Sequence, residues 1–171
     1  MNNLKFKNRI LVPGEQPSRV ILYYSLFPVL IILHKLGLIK DKSLEINKAI
    51  ISLKNFKDFK KCERIAEKLY NKTPIVYSYF NFRSVGYYWK TQLNEVSKVF
   101  ALQNFFPEVN HNEIEAKNLK NLEVINLKEE KADLTSIVYY LYSADLVAYF
   151  LARMYKVDPL KTPVIDKIKK S

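Results

Sequence analysis

Glycine is scarce in this chain. Its 171 residues include only three glycines, Gly14, Gly37 and Gly86, where average composition would give roughly twelve. No two of them lie close together, so the sequence contains neither a Walker loop nor a dinucleotide-binding fingerprint. The chain therefore has no glycine-rich loop of its own with which to hold a phosphate group.

Cysteine and histidine are scarce as well. The single cysteine, Cys62, excludes a disulfide within the chain and a zinc site made of several thiolates. The two histidines, His34 and His111, are too few for a histidine-rich metal centre. We therefore expect a protein that uses neither a metal nor a cofactor.

Basic residues are abundant but dispersed. The chain has 28 Lys and Arg against 17 Asp and Glu, a formal net charge of +11. The lysines occur in every segment and no predicted helix carries a basic stripe, so we expect no nucleic-acid partner. A diffuse positive charge also suits a phosphorylated sugar or an acidic partner. The hydrophobic fraction of 49% and the charged fraction of 26% exclude wholesale disorder.

The longest apolar run spans residues 20–33. Its fourteen residues are fewer than the ~20 that a helix needs to cross a bilayer. No small-residue cleavage site follows it, so it does not read as a signal peptide. We predict a buried helix with Ser18 as its N-cap and Gly37 as its stop, no membrane partner, and a cytoplasmic location.

Helical and strand patterns alternate along the rest of the chain. Apolar spacing predicts strands at 75–77, 98–103 and 122–127, and helices at 43–53, 59–69, 83–95, 110–117, 134–155 and 164–170. Strands that alternate with helices favour parallel pairing in a layered α/β sheet. We predict an N-terminal arm with linking helices at 1–56 and an α/β domain at 57–171.

The segment Asn110-His111-Asn112-Glu113 is the most informative local motif. An asparagine followed three residues later by a glutamate has the spacing of a capping box, which predicts a helix that starts at Asn110. His111 would then occupy the first helical position after a strand, where an imidazole is suited to moving protons. The alternative interpretation is a surface histidine at a helix start.

Two carboxylates also stand out. Glu95 ends the predicted helix 83–95, where its charge meets the negative end of the helix dipole. Departures from such local rules concentrate at functional sites, although an ordinary solvated glutamate is the alternative. Asp145 lies on the apolar stripe of the long helix, so we expect it to be paired, with a basic residue as its partner.

The segment around Glu95, together with His111, resembles a known family. Residues 89–95, Trp-Lys-Thr-Gln-Leu-Asn-Glu, followed sixteen residues later by His111, are similar to the bifunctional phosphoglucose/phosphomannose isomerases of archaea and some bacteria. The resemblance runs from about Val12 to the C-terminus and covers the C-terminal half of that family. It implies an α/β fold of the three-layer sugar isomerase (SIS) type, flavodoxin-like, with a parallel sheet and an N-terminal helical arm. Further matching segments are Pro17-Ser18-Arg19, Val157-Asp158-Pro159 and Thr162-Pro163.

The resemblance also implies a reaction and roles for four residues. Glu95 would be the base that moves a proton between C1 and C2 through a cis-enediolate, converting glucose 6-phosphate or mannose 6-phosphate to fructose 6-phosphate. His111 would assist ring opening and reach the active site of the neighbouring subunit. Lys169 would lie at the site, and Thr162 would be tied to the acceptance of mannose as well as glucose phosphate.

The positions of Glu95 and His111 constrain that site. If both are catalytic, we expect them to face one cleft at the carboxyl end of the sheet. A six-residue strand separates them in sequence, however, and spans about 20 Å at ~3.3 Å per residue. One subunit can hardly bring the two side chains together, so we expect a site shared between two subunits.

The family's first SIS half carries a phosphate-binding loop that has no counterpart here. Residues 78–81, Ser-Tyr-Phe-Asn, replace the small Gly-Ser turn expected after the first strand. We therefore expect an isomerase half-domain that binds a sugar phosphate as a homodimer or as a complex with an N-terminal SIS half. The alternative is a non-catalytic SIS module that binds a sugar phosphate or mediates dimerisation.

Overall fold

The computed structural model describes residues 10–12, 21–116, 120–128 and 132–168. It divides into two compact units, residues 1–46 and residues 47–171. The first unit contains helix α1 (Leu22–Lys35), and helix α2 (Ser43–Lys54) begins in the first unit and ends in the second. All the remaining helices and strands belong to the second unit.

Helix α1 ends as the sequence predicts. Gly37 has a positive φ of 71°, a conformation that a residue without Cβ adopts at little cost. Its N–H donates to the His34 carbonyl at 2.8 Å, and the Leu38 N–H donates to the Leu33 carbonyl at 2.9 Å. These two bonds form a Schellman motif, which stops the helix. No residue of α1 is buried within the single chain, so the burial predicted for this helix would have to come from a contact with another chain. The predicted N-cap at Ser18 lies outside the described residues.

The second unit is built around a parallel sheet, as predicted. Its elements in chain order are α3 (Phe59–Leu69), β1 (Thr73–Tyr79), α4 (Arg83–Glu95), β2 (Leu102–Phe106), β3 (Leu122–Leu127), α5 (Leu134–Met154) and α6 (Pro163–Ile168). The three described strands are ordered β2–β1–β3, and both pairings are parallel. Consecutive parallel strands require the chain to return between them, so α4 runs antiparallel to β1 and β2.

The core lies between one face of the sheet and helices α3, α4 and α5. Both α3 and α4 pack against α5, and α4 also packs against β1 and β2. The indole N–H of Trp89 donates to the Tyr140 carbonyl at 2.9 Å and ties α4 to α5. The side chains at the centre of this core are all less than 2% exposed: Ala66, Leu69, Val76, Leu93, Val138, Val147 and Leu151.

Helix α4 approaches β1 very closely at Gly86. A Cβ atom added to Gly86 would lie 2.8 Å from the Ser78 Oγ and 3.3 Å from the Ser78 Cβ. Real Cβ atoms do not tolerate such a distance without a shift of their neighbours. Glycine at this position therefore sets the depth at which α4 lies on the sheet.

Helix α5 is the long apolar helix that the sequence predicts. It starts at Asp133, whose carboxylate accepts the Ser136 N–H at 2.8 Å as an N-cap. Among the described helices it alone is long and apolar enough to cross a membrane, but one side of it forms the core against α3 and α4. Asp145 is paired, as expected for a carboxylate on this stripe, and one of its partners is the Tyr88 hydroxyl, which donates a hydrogen bond to it at 2.7 Å.

Strand β2 lies later in the chain than predicted. Residues 98–103 were expected to form it, whereas the strand spans Leu102–Phe106. Lys98 has a φ of 59°, which no strand accommodates. Ala101 donates its N–H to the Asn94 side chain at 2.8 Å, so the apolar residues that resembled the start of a strand belong to a loop.

The predicted helix at 110–117 does not form in the described part of that segment. Two short 3-10 turns, Glu108–His111 and Glu113–Glu115, take its place. The capping box is absent because the Glu113 carboxylate instead accepts hydrogen bonds from Tyr77 and Asn104 in the sheet. His111 consequently ends a 3-10 turn and does not begin an α-helix.

Candidate active site

Glu95 is the last residue of α4. Because α4 runs antiparallel to the strands, Glu95 lies at the edge of the sheet where the strands begin, which we call the amino edge. Its side chain is half-buried. The following loop, residues 96–101, is held by a hydrogen bond to α4. Ser97 in this loop is 1% exposed, and its hydroxyl donates to the Leu93 carbonyl at 2.9 Å. The end of α4 is therefore a rigid support for the carboxylate.

Lys98 joins this helix end to a distant part of the chain. Its ammonium donates to the main-chain carbonyl of Glu95 and, at 2.6 Å, to the main-chain carbonyl of Lys161. Lys161 directly precedes Thr162. The structure thus brings the segments of two predicted site residues, Glu95 and Thr162, to the same place at the amino edge.

The end of α5 directs the chain toward that place. Lys156 has a φ of 55° and donates its N–H to the Arg153 carbonyl at 3.1 Å, while the Val157 N–H donates to the Ala152 carbonyl at 3.0 Å. This is a second Schellman motif, in which the residue after the left-handed position packs back on the helix. Val157 does so against Val96, Ala148 and Ala152. The Val157 contact with Val96 fixes the exit of α5 against the end of α4.

A short turn then presents Thr162. The Asp158 carboxylate accepts the Leu160 N–H at 2.9 Å and lies 3.6 Å from the Lys161 ammonium. The hydrogen bond from Leu160, with the Lys161 charge as a smaller cause, lowers the pKa of Asp158. Thr162 is half-buried and its carbonyl accepts the Asp166 N–H at 2.9 Å, at the start of α6. Lys169, predicted to lie at the site, falls outside the described residues.

His111 lies at the opposite edge of the sheet, beyond the end of β2, which we call the carboxyl edge. Its side chain is exposed. The five residues of β2 span about 17 Å at ~3.3 Å per residue. Glu95 and His111 therefore lie at opposite edges of the sheet, as the strand between them predicted, and a single chain does not bring them into one cleft.

The turns that carry His111 are held by a carboxylate. Tyr77 on β1 donates its hydroxyl to Glu113 at 2.6 Å, and the Asn104 amide on β2 donates to the other carboxylate oxygen at 2.6 Å. Burial and the hydrogen bond to Glu113 raise the pKa of Tyr77 to about 12. Tyr77 and Asn104 are partners in the strand register, so the two donors lie side by side.

Sequence reasoning missed Tyr77, Asn104 and Lys98. Strand alternation with the correct start of β2 would have placed Tyr77 and Asn104 on one face, but the misplaced strand hid that pairing. For Lys98 the sequence offers no signal, because both partners are main-chain carbonyls and one of them, that of Lys161, lies 63 residues away.

An aromatic cleft opens beside this network. It has a volume of about 170 Å³ and lies between the ends of β1 and β3, with walls formed by Tyr77, Tyr79, Phe106 and Lys128 among others. In the turn between β1 and α4, the Arg83 guanidinium lies 4.2 Å from the centre of the Phe80 ring. Among the described residues, no group of three or more His, Cys, Asp or Glu side chains could hold a metal ion.

A parallel sheet in the order β2–β1–β3, with α4 returning between its first two strands, is an α/β arrangement of the SIS type. The chain matches the family described as bacterial phospho-glucose isomerase C-terminal SIS domain over residues 59–133 and 116–171. This chain belongs to that family. The resemblance found in the sequence is thereby confirmed.

Two curated relatives share the same printed name, bifunctional phosphoglucose/phosphomannose isomerase. The protein from Thermoplasma acidophilum is 31% identical over 63% of this chain and 45% of its own length. The protein from Thermoplasma volcanium is 27% identical over 99% of this chain and 65% of its own length. A solved structure of a glucose-6-phosphate isomerase like protein from Thermus thermophilus aligns with a TM-score of 0.45 at 18% identity, over 61% of this chain and 46% of that chain. The chain thus spans about half to two thirds of the length of these curated relatives.

Proposed function

We propose that this chain is the C-terminal half of a sugar-phosphate aldose–ketose isomerase that interconverts glucose 6-phosphate or mannose 6-phosphate with fructose 6-phosphate. Family membership and the names of its relatives support this assignment. The observation that carries it is the convergence of the Glu95 helix end and the Thr162 segment on the Lys98 ammonium. Two segments 67 residues apart meet where the proposed reaction needs a base and a sugar-contacting group.

The proposed chemistry is a proton transfer. During ring opening His111 gives a proton to the ring oxygen as the C1–O5 bond breaks, and the C1 hydroxyl loses its proton to solvent as the C1 carbonyl forms. The Glu95 carboxylate then takes the proton from C2 of the open-chain aldose, the C2–H electron pair forms the C1–C2 double bond, and the carbonyl π pair moves to O1, which gives a cis-enediolate. A proton passes from O2 to O1, the O2 electron pair forms the C2 carbonyl of the ketose, and Glu95 returns its proton to C1. Lys169 and Thr162 contact the sugar, Thr162 at the C2 side where glucose and mannose differ.

The site is proposed to be shared between two subunits. In one chain Glu95 and His111 lie at opposite edges of the sheet, so His111 must come from a neighbouring copy. Helix α1 has no buried residue and exposes Tyr24, Val29 and Ile31, which supports an apolar contact with a second copy or with an N-terminal SIS half. The phosphate-binding loop is proposed to come from that N-terminal half, in a cytoplasmic assembly.

The test is an isomerase assay with two sugars and two protein preparations. We expect the chain alone to show little or no turnover of glucose 6-phosphate or mannose 6-phosphate, because without a phosphate anchor the sugar is not oriented. Addition of an N-terminal SIS half from a family member should restore turnover to both sugars. If the mixture binds a sugar phosphate or dimerises without turnover, the chain is the non-catalytic SIS module instead.

A further inference from the structure

The structure assigns to Lys98 the role of a positioning residue that holds the base helix and the threonine segment at a fixed separation. This inference rests on the proposed function. Lys98 is exposed, and its ammonium is the point where the Glu95 and Lys161 main-chain carbonyls meet. An ammonium offers three donors on a flexible stem and bonds to both carbonyls at once.

The backbone around Lys98 is arranged for this contact. Its φ of 59° turns the chain sharply after α4, and the flanking Ser97 and Asn94 side chains hold that turn in place. A cation at a helix C-terminus also interacts favourably with the dipole there. Both effects direct the ammonium toward the last carbonyls of α4, which lie on the same side as Lys161.

The Thr162 segment, which lies on the other side of the Lys98 contact, has fewer contacts that fix its position than the end of α4. The Thr162 segment reaches the end of α4 through the Val157 contact with Val96 and the Asp158 turn. Val157 fixes where the chain leaves α5, but four residues lie between Val157 and Thr162. Lys98 provides a direct hydrogen bond to the residue adjacent to Thr162. Removal of the ammonium should therefore loosen Thr162 relative to Glu95 without unfolding the core.

Sugar discrimination depends on this separation. Glucose and mannose phosphates differ at C2, the carbon from which Glu95 takes the proton. A group that contacts the C2 hydroxyl discriminates between them only if its distance from the base is fixed, because small misplacements near reacting atoms have large kinetic effects. Lys98 is therefore inferred to determine the ratio of activities toward the two sugars without contacting either of them.

The first experiment needs no activity. Hydrogen exchange is measured on the 171-residue chain as wild type and as the variants Lys98→Met, Lys98→Arg and Lys60→Met, the last being an exposed helical lysine that controls for charge. We expect the Asp166 amide, which bonds to Thr162, to exchange about tenfold faster in Lys98→Met with little change in Tm. Lys98→Arg, which keeps the donors, and Lys60→Met should match wild type. Unchanged exchange in Lys98→Met would overturn the inference.

The second experiment uses the chain assembled with an N-terminal SIS half. In Lys98→Met we expect kcat/KM for mannose 6-phosphate to fall several-fold more than that for glucose 6-phosphate, with Lys98→Arg restoring the ratio. Equal losses for both sugars would show that Lys98 supports the fold alone and would overturn its role in positioning. If the wild-type assembly turned over neither sugar, the proposed function would fail, whereas the exchange measurement would still decide whether Lys98 joins the two segments.

Discussion

The amino and carboxyl edges of the sheet hold the proposed site residues Glu95 and His111 in different ways. At the amino edge, main-chain carbonyls and an apolar contact support Glu95, with Lys98 and Val157 as the joining side chains. At the carboxyl edge, hydrogen bonds from Tyr77 and Asn104 to Glu113 hold the turns that carry an exposed histidine. The first arrangement gives a rigid, half-buried carboxylate. The second leaves His111 exposed.

The largest effect should come from the amino edge. Glu95→Gln in the assembled enzyme should lower kcat by about 10³-fold with KM little changed, because the amide keeps the size of the side chain but accepts no proton. Steady-state kinetics with glucose 6-phosphate would measure this. Glu63→Gln on the exposed side of α3 is the matched control and should leave kcat unchanged. Comparable activity in Glu95→Gln would exclude Glu95 as the base.

A smaller kinetic effect is expected from the carboxyl edge. His111→Ala should reduce turnover of the cyclic sugar by about 10²-fold and affect the open-chain sugar less, since only ring opening is lost. The two inactive variants Glu95→Gln and His111→Ala can then be mixed. Random reassociation into dimers should restore about a quarter of wild-type activity, because half the dimers then hold one intact site of two. Absence of rescue would contradict the shared site but not the isomerase reaction.

Helix α4 links the two edges, and its seat on the sheet can be tested by stability. Gly86→Ala should lower the free energy of unfolding by about 1–3 kcal/mol, because the added Cβ meets the Ser78 side chain. Ser78→Gly should recover part of this loss when the two changes are combined. Urea unfolding of the two single variants and the double variant measures the coupling. If the losses of unfolding free energy in the two single variants simply add up in the double variant, the position of α4 does not depend on the close approach of Gly86 to Ser78.

The smallest effect concerns Tyr77. Its pKa is raised to about 12 in the folded state, so the unfolded chain releases the phenol proton first as pH rises. The stability contributed by the Tyr77 hydroxyl is therefore present below pH ~10 and declines between pH 10 and 12. Tyr77→Phe should be less stable than wild type by about 1 kcal/mol at neutral pH.

The difference in unfolding free energy between wild type and Tyr77→Phe should become smaller at alkaline pH. Chemical denaturation at a series of pH values would detect this change. The control is Tyr79→Phe, at a residue that is 39% exposed, because it removes a tyrosine hydroxyl and leaves the hydrogen bond between Tyr77 and Glu113 in place. A difference in unfolding free energy between wild type and Tyr77→Phe that stays constant up to pH 12 would contradict the assigned hydrogen bond to Glu113.

Sequence patterns correctly predicted the helices and strands whose ends are marked by nearby residues. Helix α4 and strand β3 have the predicted bounds, because apolar spacing and turn residues mark both ends. Strand β2 was misplaced because Val99, Phe100 and Ala101 have strand propensity. The positive φ at Lys98 and the hydrogen bond from the Ala101 N–H to the Asn94 side-chain oxygen keep them in a loop.

The site divides in the same way. The order and spacing of Glu95, His111 and Thr162 were readable because they are sequence properties. The partners of Glu113 could not be predicted from the sequence. A glutamate at this spacing suits a capping box as well as a hydrogen bond to a distant strand, and the sequence does not distinguish the two. The contact that joins Lys98 to Lys161 spans 63 residues, and no periodicity reports on such a distance.

If Glu95 and His111 form the proposed shared site, their placement on opposite edges of the sheet makes enzymatic activity depend on the association of two copies. In the proposed enzyme a lone copy holds the base of one site and the histidine of another, so it has no complete site at any substrate concentration. Specific activity would then follow the fraction of associated chains, falling on dilution along a binding isotherm whose midpoint is the dimer dissociation constant. An inhibitor of such an enzyme need not resemble a sugar, since any molecule that separates the copies would abolish turnover.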